Sequence, residues 1–323
     1  MIYSALAIAA MVSCTSQEEL IENGDLVEIK LQGGISAVET KAPLATNAVL
    51  NPFTLLRYDA ESKPDFTTAQ ASTEQYEAAS MTEAGAITIA TTSVYYDKEG
   101  KNTYFAGFYP NATTLPASAT NEIKLNIDGK TDILATNLID AGNKGAPATT
   151  KKLQFSHMLS QLVFEIKAVT AEDVAYFGTV TSITLKDQAT SGTLKLSDNS
   201  AFTADESSKG DISVYKKDAT PETTTLAWTL PTDAAQACGY ALVAPQTTTP
   251  VEYTLEVTTS GINTPQTIKV KVNENTTPGG EGAAPAGKKT TITLTFSQRL
   301  IEGTSGAISE WENGGGNGSG EAH

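Results

Sequence analysis

Cysteine and histidine are nearly missing from this chain: its 323 residues include 2 Cys and 2 His, and one histidine is the final residue, His323. Two cysteines exclude a disulfide-built scaffold. A histidine-based metal centre or a His-dependent triad has almost nothing to draw on. Positive charge is short as well. Lys+Arg 22 against Asp+Glu 37 gives a formal net charge of −15, which argues against nucleic acid as a partner, since grip on a phosphate backbone needs clustered Lys and Arg. No apolar run reaches the roughly 20 residues that span a bilayer as a helix, and no repeat of solenoid length occurs. What remains is an acidic, soluble, non-enzymatic chain, long enough at about 150 residues per domain for two domains.

What the sequence does have is the residue mix of strands. Thr recurs throughout, often beside Val, Ile or Tyr, and β-branched side chains fit a pleated surface. Short bursts of apolar/polar alternation cover 26–31, 86–89, 103–109, 122–127, 180–185, 193–196, 226–230, 239–243, 253–257, 268–272 and 291–296. Each is bounded by Gly, Pro, Asn or Asp, the punctuation of strands joined by turns. Only 74–81 and 171–177 read as short helices. The fold class is therefore all-β, built as β-sandwiches with at most short helices. Segment 140–149 is small, polar and turn-prone, the composition of a linker between an N-terminal domain at 25–145 and a C-terminal domain at 150–312. Residues 273–289 form a second long loop, and 313–323 a disordered Gly-rich tail.

The N-terminus carries an address. The run 2–12 is too short to cross a membrane and reads as the apolar core of an export signal over residues 1–13. Cys14 after Met11-Val12-Ser13 resembles the lipobox of bacterial lipoproteins, in which that cysteine is acylated. The acidic tether at 14–24, with Glu18 and Glu19, is similar to the surface-export signal of Bacteroidetes lipoproteins. A buried first element with an incidental cysteine is the competing reading.

Tests for chemistry come out bland. Gly282 to Lys288 has the spacing of a phosphate-binding loop, but Lys289 replaces the Ser or Thr that would hold Mg²⁺ and a strand follows where a helix is needed. The stretch from Asp128 to Asp132 lacks the ligand count of a Ca²⁺ loop and reads as a turn. Cys238 reads as a small buried side chain. Leu153, Phe155, His157 and Leu159 share one strand face, whereas Leu162, Phe164 and Ile166 take the opposite parity. A bulge or bend near Ser160 follows from that switch, and His157 reads as a hydrogen-bonded structural histidine. No catalytic residue, metal site or cofactor is assigned.

The same stretch, from Leu153 to Ile166, resembles the L-x-F-x-H-x-L segment of the Bacteroidales fimbrillin family, the lipoprotein subunits of type V pili. In order along the chain, Tyr104 to Pro110, Thr131 to Ala135 and Ile308 to Gly314 are similar to further family segments, the last through its I-x-x-W-x-x-G ending. The resemblance implies two sandwiches of transthyretin-like topology, export as an outer-membrane, surface-exposed lipoprotein, and assembly into a fimbrium by β-strand addition. The partners it implies are other pilin subunits, the outer membrane through the lipid, and a host or bacterial surface ligand in adhesion.

Mapped onto this sequence, the displaced strand falls at 26–31, with Leu26, Val27, Ile29 and Leu31 as its apolar residues. The processing site falls at Lys41-Ala42, where Lys41 reads equally as a solvated loop lysine. Arg57 is the next basic position and reads as buried and uncleaved. The donor candidate is 301–311, with Ile301, Ile308 and Trp311; Gly303 and Gly306 weaken it as a long strand, and Trp311 reads equally as a core anchor. The alternative function is a non-polymerising surface lipoprotein that binds glycan or host protein.

Overall fold

A computed structural model describes residues 26–36, 49–66, 72–89, 93–111, 121–246, 251–272, 284–297 and 300–310, the last six as backbone alone. Alternation in the sequence becomes alternation in burial. In Glu122–Asn126, Ile123 and Leu125 point inward while Glu122, Lys124 and Asn126 face solvent, the signature of a half-buried strand. Leu50–Ala60 departs from it: 53–58 is buried without a break, because this central strand is covered on both faces.

The first sheet runs, edge to edge, Gln32–Ile35, Lys152–His157, Leu134–Thr136, Asn102–Tyr109, Leu50–Ala60, Glu74–Met81 and Ile87–Ile89. Every pairing along it is antiparallel except the first, which is parallel. One face packs Phe53, Leu55, Phe105 and Phe155 with Ile29, Leu31, Val94 and Tyr96. Phe53 and Phe155 meet edge to face at 5.3 Å, a favoured aromatic geometry. On the other face, Leu56, Tyr58, Tyr104 and Phe108 join the same core as Ile123, Leu125, Leu194 and Phe202.

Those last four come from a small sheet that mixes distant parts of the chain. Glu122–Asn126 pairs antiparallel with Ser191–Lys195, which pairs in turn with Ala201–Ala204. Beyond it lies a sandwich of two sheets. One orders Tyr215–Lys216, Gln236–Val243, Ser160–Ala168, Lys288–Ser297 and Leu300–Glu310; the other orders Lys209–Ser213, Thr179–Ala189, Val251–Thr259 and Gln266–Val272.

Helix Ala171–Phe177 forms where expected. Thr170 caps it by accepting from the Asp173 amide while the Asp173 carboxylate accepts from the Thr170 amide, which satisfies two otherwise orphaned donors. The second expected helix does not form. Glu74–Met81 is a strand held between Leu50–Ala60 and Ile87–Ile89, where ladder bonds on both edges override local propensity.

Segment 140–149 differs too. It holds the short strands Gly142–Asn143 and Ala146–Pro147, and Asn143 Oδ1 accepts from the Gly145 and Ala146 amides while its own amide donates to Asn102. A linker-like composition is here a pinned hairpin. The parity switch at Ser160 is a crossover: Lys152–His157 lies in the first sheet and Ser160–Ala168 in the second sandwich, joined through Met158, whose amide donates to Ile133.

Candidate functional site

The N-terminal segment is held on both flanks. On one side the Gln32 amide donates to Lys151 and the Ser36 amide to Phe155; on the other, Ile29 donates to Val94, Gly33 donates to Gly85, and Leu31 accepts from Ile87. Gly33 lies so close to its neighbours that a Cβ there would stand 2.7 Å from Met81 Sδ. At Gly85, where φ is +83, a Cβ would meet the Gly33 carbonyl oxygen at 2.4 Å. Only glycine adopts that backbone without strain and allows that approach.

The regular strand is Gln32–Ile35, further along than the expected 26–31. Of the expected apolar residues, Ile29 and Leu31 are buried, whereas Leu26 and Val27 are exposed. The buried set continues through Ile35, so the inward stripe is Ile29, Leu31, Gly33, Ile35, alternate residues of one extended segment. Beside it runs a groove of about 800 Å³, lined among others by Glu28, Leu31, Ile87, Ile89, Val94 and Lys151. The strips 85–87 and 94–96, which hold the segment's outer flank, carry no sequence signal that ties them to residues some sixty positions earlier.

The C-terminal candidate lies elsewhere. Leu300–Glu310 is an edge strand of the second sandwich, antiparallel to Lys288–Ser297 with one register shift between Thr290 and Ile292. Ile301 is buried and Ile308 pairs with Thr290. Packing gives Gly303 its place, since a Cβ there would stand 2.2 Å from Val270 Cγ2 and the missing side chain lets the two sheets close, while Gly306 falls where the pairing with Lys288–Ser297 shifts register. The structure thus does not bring the N-terminal segment and Leu300–Glu310 together. Cys14, Lys41, Ala42 and Trp311 lie outside the described residues.

The remaining polar candidates are structural. Arg57 is buried beside Asp59 at 3.0 Å and reaches Glu74 at 3.3 Å. Its guanidinium pKa sits above its ordinary value: burial opposes the charge, and Tyr76, Asp59 and Glu74 outweigh it. His157 Nδ1 lies 2.6 Å from Asp132 Oδ2, both side chains almost wholly buried. Asp128 Oδ1 accepts from the amides of Lys130 and Thr131, which makes the expected turn. Ala284 pairs with Gln246, and a turn leads straight into strand Lys288–Ser297. Cys238 is buried, and burial pushes its thiol up to about 12. Among the described residues, no group of three His, Cys, Asp or Glu could hold a metal, and no helix is long and apolar enough to cross a membrane.

A family model described as fimbrillin-like matches residues 51–311. A search of curated protein sequences gives no match. Among solved structures, a candidate cell adhesion protein of Bacteroides uniformis superposes with a TM-score of 0.56 at 18% identity, covering 88% of this chain and 99% of its own. A second candidate cell adhesion protein, from Bacteroides ovatus, gives 0.53 at 15% identity, covering 88% of this chain and 98% of its own. A third, from Parabacteroides distasonis, gives 0.56 at 9% identity over 88% and 97%.

Proposed function

The chain belongs to the fimbrillin-like family, and we propose on that premise that it is a structural or accessory subunit of a cell-surface pilus. In this reading it is exported as a lipoprotein acylated at Cys14, anchored in the outer membrane, cut after Lys41, and joined to its neighbours by strand exchange in the service of adhesion. The observation that carries the reading is the N-terminal segment. It places Ile29, Leu31 and Ile35 in the core and enters the first sheet through a short parallel pairing at the sheet edge. Its removal would leave apolar pockets at alternate positions beside unpaired backbone groups, the kind of acceptor that an incoming strand fills. Such assembly draws on no cofactor and no catalytic group.

Limited trypsin digestion followed by intact mass and electron microscopy tests it. The expected result is a single early cut after Lys41, loss of the segment and growth of oligomers. Stable monomers with no such cut would overturn it.

A second reading rests on the other terminus. Leu300–Glu310 is built into its own sandwich, with Ile301 buried and Gly303 against Val270, so donating it would cost that sandwich an edge strand. A subunit that keeps this strand at home is a terminal member of the pilus or a non-polymerising surface protein that captures glycan or host protein.

A further inference from the structure

A row of four side chains crosses the outer face of the sheet that holds Ser160–Ala168. Tyr215 pairs with Tyr240, Tyr240 with Val163, and Val163 with Thr291. Side chains opposite one another in a sheet share a face, and all four are half-buried. The two tyrosine rings lie 6.3 Å apart between centres, tilted by 34°. Leu242 and Gln161, next along the same face, are buried, so the open stretch ends there against a wall. Gln161 Oε1, at the foot of that wall, meets no hydrogen-bond donor among the described residues.

Charge stands around the row. The turn that begins at Asp128 docks on the sheet edge, where the Leu242 amide donates to the Gly129 carbonyl and the Tyr215 hydroxyl to the Asp128 carbonyl at 3.5 Å. It places the Lys130 ammonium 5.8 Å from the centre of the Tyr215 ring and 3.8 Å from Glu222. Glu222 in turn accepts from the Tyr240 hydroxyl at 2.9 Å. Tyr109 faces the same carboxylates from the first sheet: burial raises the pKa of its phenol, and the charges of Asp132, Asp128 and Glu222 add to the rise. Residues from both sides of the crossover at Met158 thus converge on one ledge.

The parts of this ledge define what it can hold. Tyr240 is pinned at its hydroxyl by Glu222 and flanked by Tyr215, so a flat aromatic face is held in place before any ligand arrives. One lysine against two carboxylates, on a chain of net charge −15, leaves no excess of positive charge for an anion. A peptide strand would need open backbone groups, yet Gln236–Val243 and Ser160–Ala168 are laddered on both edges. A sugar ring meets each condition. It offers C–H groups on one face for the aromatic ring, and hydroxyls at its rim that donate to a carboxylate and accept from an ammonium.

We propose that this ledge binds a neutral glycan, Tyr240 stacking on a sugar ring while Glu222 and Lys130 bond to its hydroxyls. The inference rests on the capture reading above, and it names the ligand class and the site. The ledge is separate from the N-terminal segment, which packs in the other core of the first sheet.

The test is an array of neutral gluco-, galacto-, manno- and xylo-oligosaccharides probed with the full chain, followed by calorimetric titration of the strongest binder. Tyr240→Ala should weaken that binding about tenfold or more, and Glu222→Gln about threefold to tenfold. Tyr240→Phe keeps the ring and should fall between Tyr240→Ala and the parent. Lys269→Ala, on the other sheet of the sandwich, should bind as the parent does. Glu222 is exposed, so its variant decides the matter should Tyr240→Ala fail to fold. Binding that survives both Tyr240→Ala and Glu222→Gln would overturn the proposal and spare the capture reading, with the glycan seated elsewhere. A loss shared by Lys269→Ala would mark a general charge effect and overturn the proposal too. Absence of binding to every sugar on the array would overturn it together with glycan capture itself.

Discussion

Asp132 and His157, twenty-five positions apart in sequence, meet at 2.6 Å between Oδ2 and Nδ1 with essentially no exposure to solvent. They sit where the chain leaves the first sheet, beside the bond from the Met158 amide to Ile133. A buried pair of this kind is costly to break, because the surviving partner keeps its desolvation penalty. His157→Ala should lower stability by about 3–5 kcal/mol in urea unfolding, with the loss felt in the first sheet and in the sandwich that follows it, because the pair lies where the chain crosses between them.

The same carboxyl gives a pH dependence with a definite sign. Burial holds Asp132 above the usual carboxylate range, and the hydrogen bond and charge of His157 oppose that rise. A carboxyl whose folded pKa is raised contributes stability below its unfolded value of about 4 and loses it as pH climbs through the folded one. Asp132→Asn, neutral at every pH, should remove that component, so urea midpoints measured from pH 4 to 8 should fall less steeply than in the parent. Parallel profiles would contradict the assignment.

Gly85 controls the N-terminal segment from outside it. With φ at +83 and the Gly33 carbonyl oxygen 2.4 Å from a would-be Cβ, Gly85→Ala should cost about 1–3 kcal/mol. The cost should be local. Amide hydrogen exchange at Ile29, Gly33 and Ile87, whose amides make the outer-flank bonds, should quicken while exchange at Leu162 and Phe164 stays as it was.

Arg57 and Cys238 are shielded reagents. Trypsin should leave the bond after Arg57 uncut in the native chain, because its side chain is buried against Asp59 and its backbone is laddered on both edges. At pH 8 the Cys238 thiol, pushed up to about 12 by burial, should resist alkylation until denaturant opens the second sandwich. Peptide mapping reads both.

Gly303 should not tolerate a side chain. Val270 Cγ2 would stand 2.2 Å from the new Cβ, and a β-branched neighbour in a packed sheet has little room to yield. Gly303→Ala should cost about 1–3 kcal/mol, and exchange should speed first at the amides of 300–304.

Much of this architecture was legible in the sequence where burial is one-sided. Ile123 and Leu125, or Ile268 and Val270, alternate cleanly and are strands. The parity change after Leu159 marked a true break, which turned out to separate two sheets. Legibility failed where the cause lies far along the chain. Glu74–Met81 reads locally as a short helix, yet strands on both edges dictate its form. The N-terminal strand sits further along than alternation implied because its register is fixed by Gly33 against Gly85 and by Lys152–His157, none of it local. Gly303 reads as a strand breaker until Val270 appears beside it. The site's apolar stripe was visible at Ile29 and Leu31; the strips that hold it were not.

The hairpin of Ser191–Lys195 and Ala201–Ala204 on Glu122–Asn126 has a consequence for the order in which the chain takes shape. As it emerges from its N-terminus, the strand Leu50–Ala60 is present early, but the layer that covers its Leu56 and Tyr58 face waits for Leu194 and Phe202. Domains that complete as their last residue appears can fold one after another during synthesis. This chain cannot finish its first half until well into its second, so its two halves mature together and the growing polypeptide stays open for most of its passage.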